Sequence, residues 1–151
     1  MNNRTENSRS NRVVIAFWIV TGLFCLEMLF TAYYELRILP DAAQAFARLG
    51  FTSSAFRIEL SWAKVAGVLA LLIPKVPARV KEWAYAGFAI NLISALIAHS
   101  SIADRPAAFV PSSLSLIFWL ISYLCFRRLE SRANAASKLP ESLSVLAVQS
   151  A

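Results

Sequence analysis

Three polar side chains interrupt otherwise apolar stretches of the 151-residue chain: Glu27, Lys64 and Asn91. An ionisable side chain in the middle of a membrane helix costs about 2.5–3.5 kcal/mol on insertion scales, so it usually has a partner or a task. A carboxylate, an ammonium and an amide could form an ion pair completed by hydrogen bonds, or they could hold a polar head group. These residues therefore mark the part of the sequence where binding chemistry is expected.

The stretches that contain these residues are long enough to cross a bilayer as helices. Hydrophobic residues make up 58% of the sequence and charged residues 16%, against about 25% charged residues in an ordinary soluble domain. The pattern predicts four spans, at about residues 13–34, 56–73, 82–98 and 109–126. Because short connections place sequential helices side by side, the predicted fold class is all-α, a membrane-embedded antiparallel four-helix bundle.

The segments outside the spans differ in composition. Residues 1–12 are polar and are predicted to form a disordered N-terminus. Between the first two spans, Pro40 and Asp41 indicate a helix start and Gly50 a helix stop. We expect a short interfacial helix here, lying on the membrane surface. Residues 127–151 form a tail with no clear structural signal.

The placement of basic residues predicts the orientation. Ten Lys or Arg residues lie in the N-terminal segment, the turn between the second and third spans, and the tail, whereas four lie on the opposite side. Since basic segments are retained in the cytoplasm, both ends are predicted to be cytoplasmic in a multi-pass protein of the cell (inner) membrane. The same placement accounts for the net charge of +6, so the expected partner is the lipid bilayer and not nucleic acid.

The three polar residues are predicted to share one depth in the membrane. Counted from the outer ends of their spans, Glu27, Lys64 and Asn91 lie about 10–12 Å below the outer surface, at a rise of about 1.5 Å per residue. Glu27 and Lys64 could pair between the first and second helices, with Asn91 completing the cluster. A polar rim above this layer is formed by Glu59, His99, Ser112, Ser113 and Ser115. Two interpretations stay open: a polar pocket that opens outward, or a structural ion pair that fixes helix register.

Residue counts and spacing exclude several kinds of site. Cys25 and Cys125 differ in predicted depth by about 16 Å, whereas a disulfide requires Cα atoms within about 7 Å. His99 is the only histidine, which excludes a bis-histidine haem in one chain and leaves open a single axial ligand. No zinc-ligand spacing, phosphate-binding glycine loop or nucleophile motif occurs. We therefore predict no metal site and no complete catalytic set.

A run of seven residues, KEWAYAG, is the most specific motif in the chain. It contains Lys81, Glu82, Trp83, Tyr85 and Gly87. Together with the surrounding segment from residue 62 to residue 99, it resembles the DoxX-like family of small four-span membrane proteins, and the resemblance covers about residues 15–126. Many family members have an aspartate at the position of Asn91, so this chain lacks a potential proton carrier there.

The resemblance implies an architecture more than an activity, because most members have no assigned activity. The family name comes from a subunit associated with quinone-linked sulfur oxidation, and distant animal relatives act as membrane chaperones. We expect an accessory or small-molecule-binding subunit that is not an enzyme on its own. The alternatives are a quinone-interacting subunit of a membrane redox complex and a membrane-protein assembly chaperone.

These alternatives differ in what the protein would bind. No cofactor is predicted for the accessory subunit, and a partner membrane or redox protein is expected. In the redox alternative, a quinone head group would lie near Lys64 and Asn91. A small transporter is disfavoured, because the spans are unbroken and contain few internal polar groups.

Overall fold

The structure is a computed structural model that describes the backbone of residues 3–37 and 40–149 and the side chains of residues 11–37 and 42–135. Five helices form this part of the chain: α1 (Asn3–Leu36), α2 (Pro40–Arg48), α3 (Ser54–Leu72), α4 (Ala78–Ser101) and α5 (Pro106–Gln149). The backbone contains no strand in the described ranges. The predicted all-α class is therefore confirmed.

Three helical segments are long and apolar enough to cross a membrane. They are Asn11–Leu36 in α1, Ala78–Ser101, which is all of α4, and Pro106–Ala135 in α5. Helix α3 is 19 residues long but carries three charged residues, Arg57, Glu59 and Lys64. Arg57 and Lys64 are buried, and Glu59 is exposed. Two of the three charged side chains of α3 therefore face the protein interior.

The four long helices pack in a ring. Helix α1 packs against α3 and α5, and α4 packs against the same two helices. The interior is apolar and aromatic, and it includes an edge-to-face pair in which the rings of Phe24 and Phe88 are 5.1 Å apart. The outer surface is also apolar: Trp83 is 77% exposed and Phe30 is 69% exposed. Exposed apolar surface of this extent is typical of a protein that contacts lipid or a partner.

A buried hydroxyl network joins three of these helices. Ser122 Oγ lies 2.6 Å from Thr21 Oγ1 and 2.7 Å from Tyr85 Oη. The indole N–H of Trp119 donates to the backbone carbonyl of Tyr85 at 2.9 Å. These contacts satisfy polar groups in an otherwise apolar interior and fix the register of α1, α4 and α5.

Helix α2 lies between α1 and α3 in sequence and ends where the glycine signal predicts. Gly50 has a φ of +87°, a conformation that glycine adopts at little cost. The N–H of Phe51 donates to the carbonyl of Phe46 at 2.9 Å. This bond is typical of an α-helix that ends with a glycine in the left-handed conformation. Ser53 then caps α3, because its side chain accepts a hydrogen bond from the N–H of Phe56. The short connection thus folds α2 back toward the long helices.

Two terminal segments differ from the prediction. Helix α1 begins at Asn3, so residues 3–12, predicted to be disordered, are helical, and α5 continues through the predicted tail to Gln149. Residues 1–2 and 150–151 of the same segments lie outside the described residues. Residues 3–12 contain no Gly or Pro, and extending an existing helix is far easier than nucleating one. The apolar spans therefore act as nuclei from which helix continues into the polar ends.

Candidate functional site

Lys64 forms a buried ion pair with Glu35. Its Nζ lies 2.5 Å from Glu35 Oε1, and the two side chains are 7% and 9% exposed. Ser61 Oγ donates to the other oxygen of Glu35 at 3.0 Å. The prediction that Lys64 would pair with Glu27 was wrong, since α1 extends to Leu36 and carries Glu35 as part of the same helix. The ion pair joins α1 to α3 two turns farther along α1 than expected.

Glu27 is bonded instead to α5. Ser115 Oγ donates to Glu27 Oε1, and Ser115 Oγ also lies 2.8 Å from the carbonyl of Pro111. One hydroxyl proton therefore faces two acceptors. The second carboxyl oxygen, Oε2, is buried and has no hydrogen-bond partner within the described residues. Glu27 is thus an incompletely satisfied carboxyl group in the protein interior.

A cavity of about 430 Å³ connects these groups. The three residues of the predicted layer, Glu27, Lys64 and Asn91, all line it. Its apolar lining includes Phe46 of α2 and Leu49 directly after it, so the end of α2 covers one end of the cavity. This volume lies in the range of small-molecule pockets, which combine an apolar wall with a few convergent polar groups.

Asn91 contributes an amide that makes no hydrogen bond to the described part of the protein. It also lines a second recess, of about 370 Å³, between α3 and α4. The second recess and the main cavity share Leu60, Lys64, Gly87 and Asn91. Because Gly87 has no side chain and small alanines continue the wall of the recess, the cavity borders a lateral groove between these two helices.

Only part of the predicted rim reaches the cavity. Ser112 and Ser115 line it, whereas Glu59 is exposed on α3 and lines neither space. His99 is also outside: its Nδ1 lies 3.0 Å from Asp104 Oδ2. Arg48 Nη2 lies 3.1 Å from the other Asp104 oxygen. This cluster links the end of α2 to the turn between α4 and α5.

The cluster predicts a pH dependence of stability. The hydrogen bond with His99, followed by the bond from the backbone N–H of Arg105, lowers the pKa of Asp104 below its ordinary value of 3.8. Since the folded-state pKa is below the unfolded one, the stabilisation is complete above the unfolded pKa and is lost as pH falls through the folded pKa. We expect the melting temperature of the wild type to exceed that of Asp104→Asn at neutral pH, and the difference to shrink below about pH 4.

Thermal unfolding in detergent, followed by circular dichroism from pH 7 to about pH 3, measures this difference. Glu59→Gln is a suitable control, because it removes an exposed carboxylate for which the structure gives no ion pair. A melting-temperature difference that stayed constant over the whole pH range would contradict the assignment of the stabilising charge to Asp104.

The residues of the KEWAYAG motif have separate roles in the structure. Lys81 Nζ lies 3.5 Å from the carbonyl of Leu71, Glu82 pairs with Arg127 of α5, and Trp83 is exposed. Tyr85 belongs to the buried hydroxyl network, and Gly87 lines both recesses. The motif therefore determines the packing of α4 and one wall of the cavity.

Sequence reasoning missed Glu35 and Arg57 as interior charges. Glu35 was left in the segment between the first two spans and Arg57 was counted among the outer basic residues, although both are buried in helices. Their positions at the ends of apolar runs gave no signal of burial. The two cysteines are free, and the side chains of residues 11–37 and 42–135 form no cluster of three His, Cys, Asp or Glu that could hold a metal ion.

An apolar outer surface over a small interior set of charged and amide groups defines a helical membrane protein. The chain belongs to the DoxX-like family, whose model matches residues 19–121. This match confirms the resemblance seen in the sequence. No curated protein matches the chain. No solved structure matches it either.

Proposed function

We propose that this protein binds an amphipathic small molecule in the cavity beneath α2. In this proposal it is a membrane-embedded accessory subunit and not an enzyme on its own. The observation that carries the proposal is the buried Oε2 of Glu27, which has no hydrogen-bond partner among the described residues. The amide of the half-buried Asn91 lines the same cavity. Buried polar groups in proteins are nearly always hydrogen-bonded. A ligand with a hydrogen-bonding head and an apolar body would satisfy both groups and cover the apolar wall.

The proposal includes four membrane crossings, by α1, α3, α4 and α5. The ring packing of these helices and the burial of Arg57 and Lys64 support a crossing by α3 despite its composition. The excess of basic residues at the chain ends and in the turn between α3 and α4 supports cytoplasmic termini and an inner-membrane location. In this arrangement α2 lies on the outer membrane surface, and the cavity beneath α2 opens toward that side.

Native mass spectrometry of the gently solubilised protein tests the binding proposal. We expect a bound small molecule in the wild type and a loss of about tenfold or more in occupancy for Glu27→Gln and Asn91→Leu, because each variant removes hydrogen bonds to the ligand head. Glu59→Gln is the matched control, since Glu59 is outside the cavity. Equal occupancy in all four proteins, or no bound molecule in any of them, would refute the proposal.

A quinone is the second candidate ligand. Phe46, Phe51 and Phe56 supply flat apolar wall, and the Asn91 amide can donate to a quinone carbonyl. Lys64 is less suited to that role than predicted, because Glu35 already holds its ammonium group. Glu27 could accept from a hydroxyl of the reduced quinol. Identification of the bound molecule by mass distinguishes this candidate, and a co-purifying client protein with an empty cavity would instead favour an assembly chaperone.

A further inference from the structure

Arg57 is a buried cation for which the described side chains supply no counter-ion. Its side chain is 4% exposed, and its Nε and Nη1 atoms reach neither solvent nor a hydrogen-bond partner in the described residues. The buried carboxylate of Glu35 on α1 is held by Lys64 and Ser61. Burying a charge without a partner is costly. Arg57 therefore provides a group that an anion would satisfy.

The surroundings of Arg57 have the character of an anion site. Arg57 lines a recess of about 50 Å³ together with Thr52, Ser53 and Ser54, at the N-terminus of α3. No acidic residue lies in the first turn of α3, so the positive end of the helix dipole is not neutralised by its own helix. Free backbone N–H groups and the dipole at a helix N-terminus favour oxyanions.

We propose that Arg57 and the N-terminus of α3 form a binding site for an anion of the phosphate class, separate from the ligand cavity. A tetrahedral oxyanion can accept from the guanidinium, from a hydroxyl of Thr52 and from helix N–H groups in different directions. The recess has room for a small polar group. The rest of any larger molecule must remain outside it.

The phosphate could come from free phosphate or from a lipid head group. Phe46 and Phe51 line both this recess and the main cavity, so an anion held here would lie beside the apolar cover formed by α2 and the segment after it. The site does not depend on the cavity ligand, because neither Glu27 nor Asn91 lines the recess.

The test uses the purified full-length protein and two probes. In the first arm, inorganic phosphate is compared with chloride at equal ionic strength, and the melting temperature is measured. In the second arm, the protein is placed in nanodiscs of phosphatidylglycerol or of an uncharged glycolipid that lacks phosphate, and retained lipid is counted by native mass spectrometry. In the first arm, a higher melting temperature in phosphate than in chloride identifies free phosphate as a ligand. In the second arm, more retained phosphatidylglycerol than glycolipid identifies the lipid head group.

We expect Arg57→Gln to lower the affinity for the probe that binds by about tenfold or more, and Thr52→Val to lower it by a smaller factor. Arg105→Gln is the matched control, because its side chain is exposed and outside the recess. Arg57→Gln should fold at least as well as the wild type in the absence of anion, since it removes an uncompensated buried charge. Equal responses in the wild type and Arg57→Gln, or no response in either arm, would overturn the proposal.

Discussion

Replacing Lys64 with methionine is expected to destabilise the protein by about 3–5 kcal/mol, because it leaves a buried carboxylate without its counter-ion. Lys64 and Glu35 are 7% and 9% exposed, and their charged atoms lie 2.5 Å apart. After the substitution, Ser61 remains as the donor to Glu35. The measurement is reversible unfolding of the purified protein by titration with a denaturing detergent, followed by far-ultraviolet circular dichroism.

The double variant Lys64→Met/Glu35→Leu distinguishes the attraction between the two charges from the cost of removing them from water. When both partners of a buried pair become apolar, stability is often retained, so we expect most of the loss to be recovered and the two single effects to be strongly non-additive. Additive losses would show that the two side chains do not interact as a pair in the folded protein.

The same double variant distinguishes the two interpretations of the polar layer. If it folds and keeps the cavity ligand, the ion pair fixes the register of α1 and α3 and the ligand is held by other groups. If it folds and loses the ligand, Lys64 or Glu35 takes part in binding. Asn91→Leu, measured beside it, shows whether binding depends on the polar groups of the cavity that are not engaged in the ion pair.

Replacing Gly67 with alanine is expected to cost about 1–3 kcal/mol of stability through overpacking. A Cβ atom at this position would lie 2.8 Å from both Cε2 and Cζ of Phe88. The Phe88 ring is 4% exposed and is held edge-to-face against Phe24, so it cannot move aside without disturbing the interior. Thermal or detergent unfolding, compared with the wild type under the same conditions, measures the loss.

Gly22→Ala provides the control for this substitution. It introduces the same methyl group in the long helix α1, at a position with no neighbouring atom within 4 Å, and no loss of stability is expected there. Adding Phe88→Leu to Gly67→Ala should recover part of the loss, because it removes the ring that the new methyl group meets. Equal stability of the two alanine variants would contradict the close approach of α3 and α4 at Gly67.

The polar residues show where reasoning from sequence succeeds and where it fails. Reasoning from residue type and predicted depth grouped Glu27, Lys64 and Asn91, and all three line one cavity in the structure. The pairing was wrong because the predicted span ended at Tyr34 and so left out Glu35, while α1 continues through Glu35 to Leu36. An error of one or two residues at a helix end is enough to exchange one glutamate for another. Whether these residues form a functional site remains a prediction.

The amino-acid sequence by itself determined the helical class, the approximate helix positions, the ends of α2 and the membership in the DoxX-like family, because these depend on local composition, helix-ending residues and a specific motif. Only the tertiary structure decided that Lys64 pairs with Glu35, that Glu27 bonds to Ser115, and that Arg57 is buried. These contacts depend on the rotation and axial offset of one helix against another. Hydropathy and helical periodicity leave both quantities open, since many offsets bury the same apolar faces equally well.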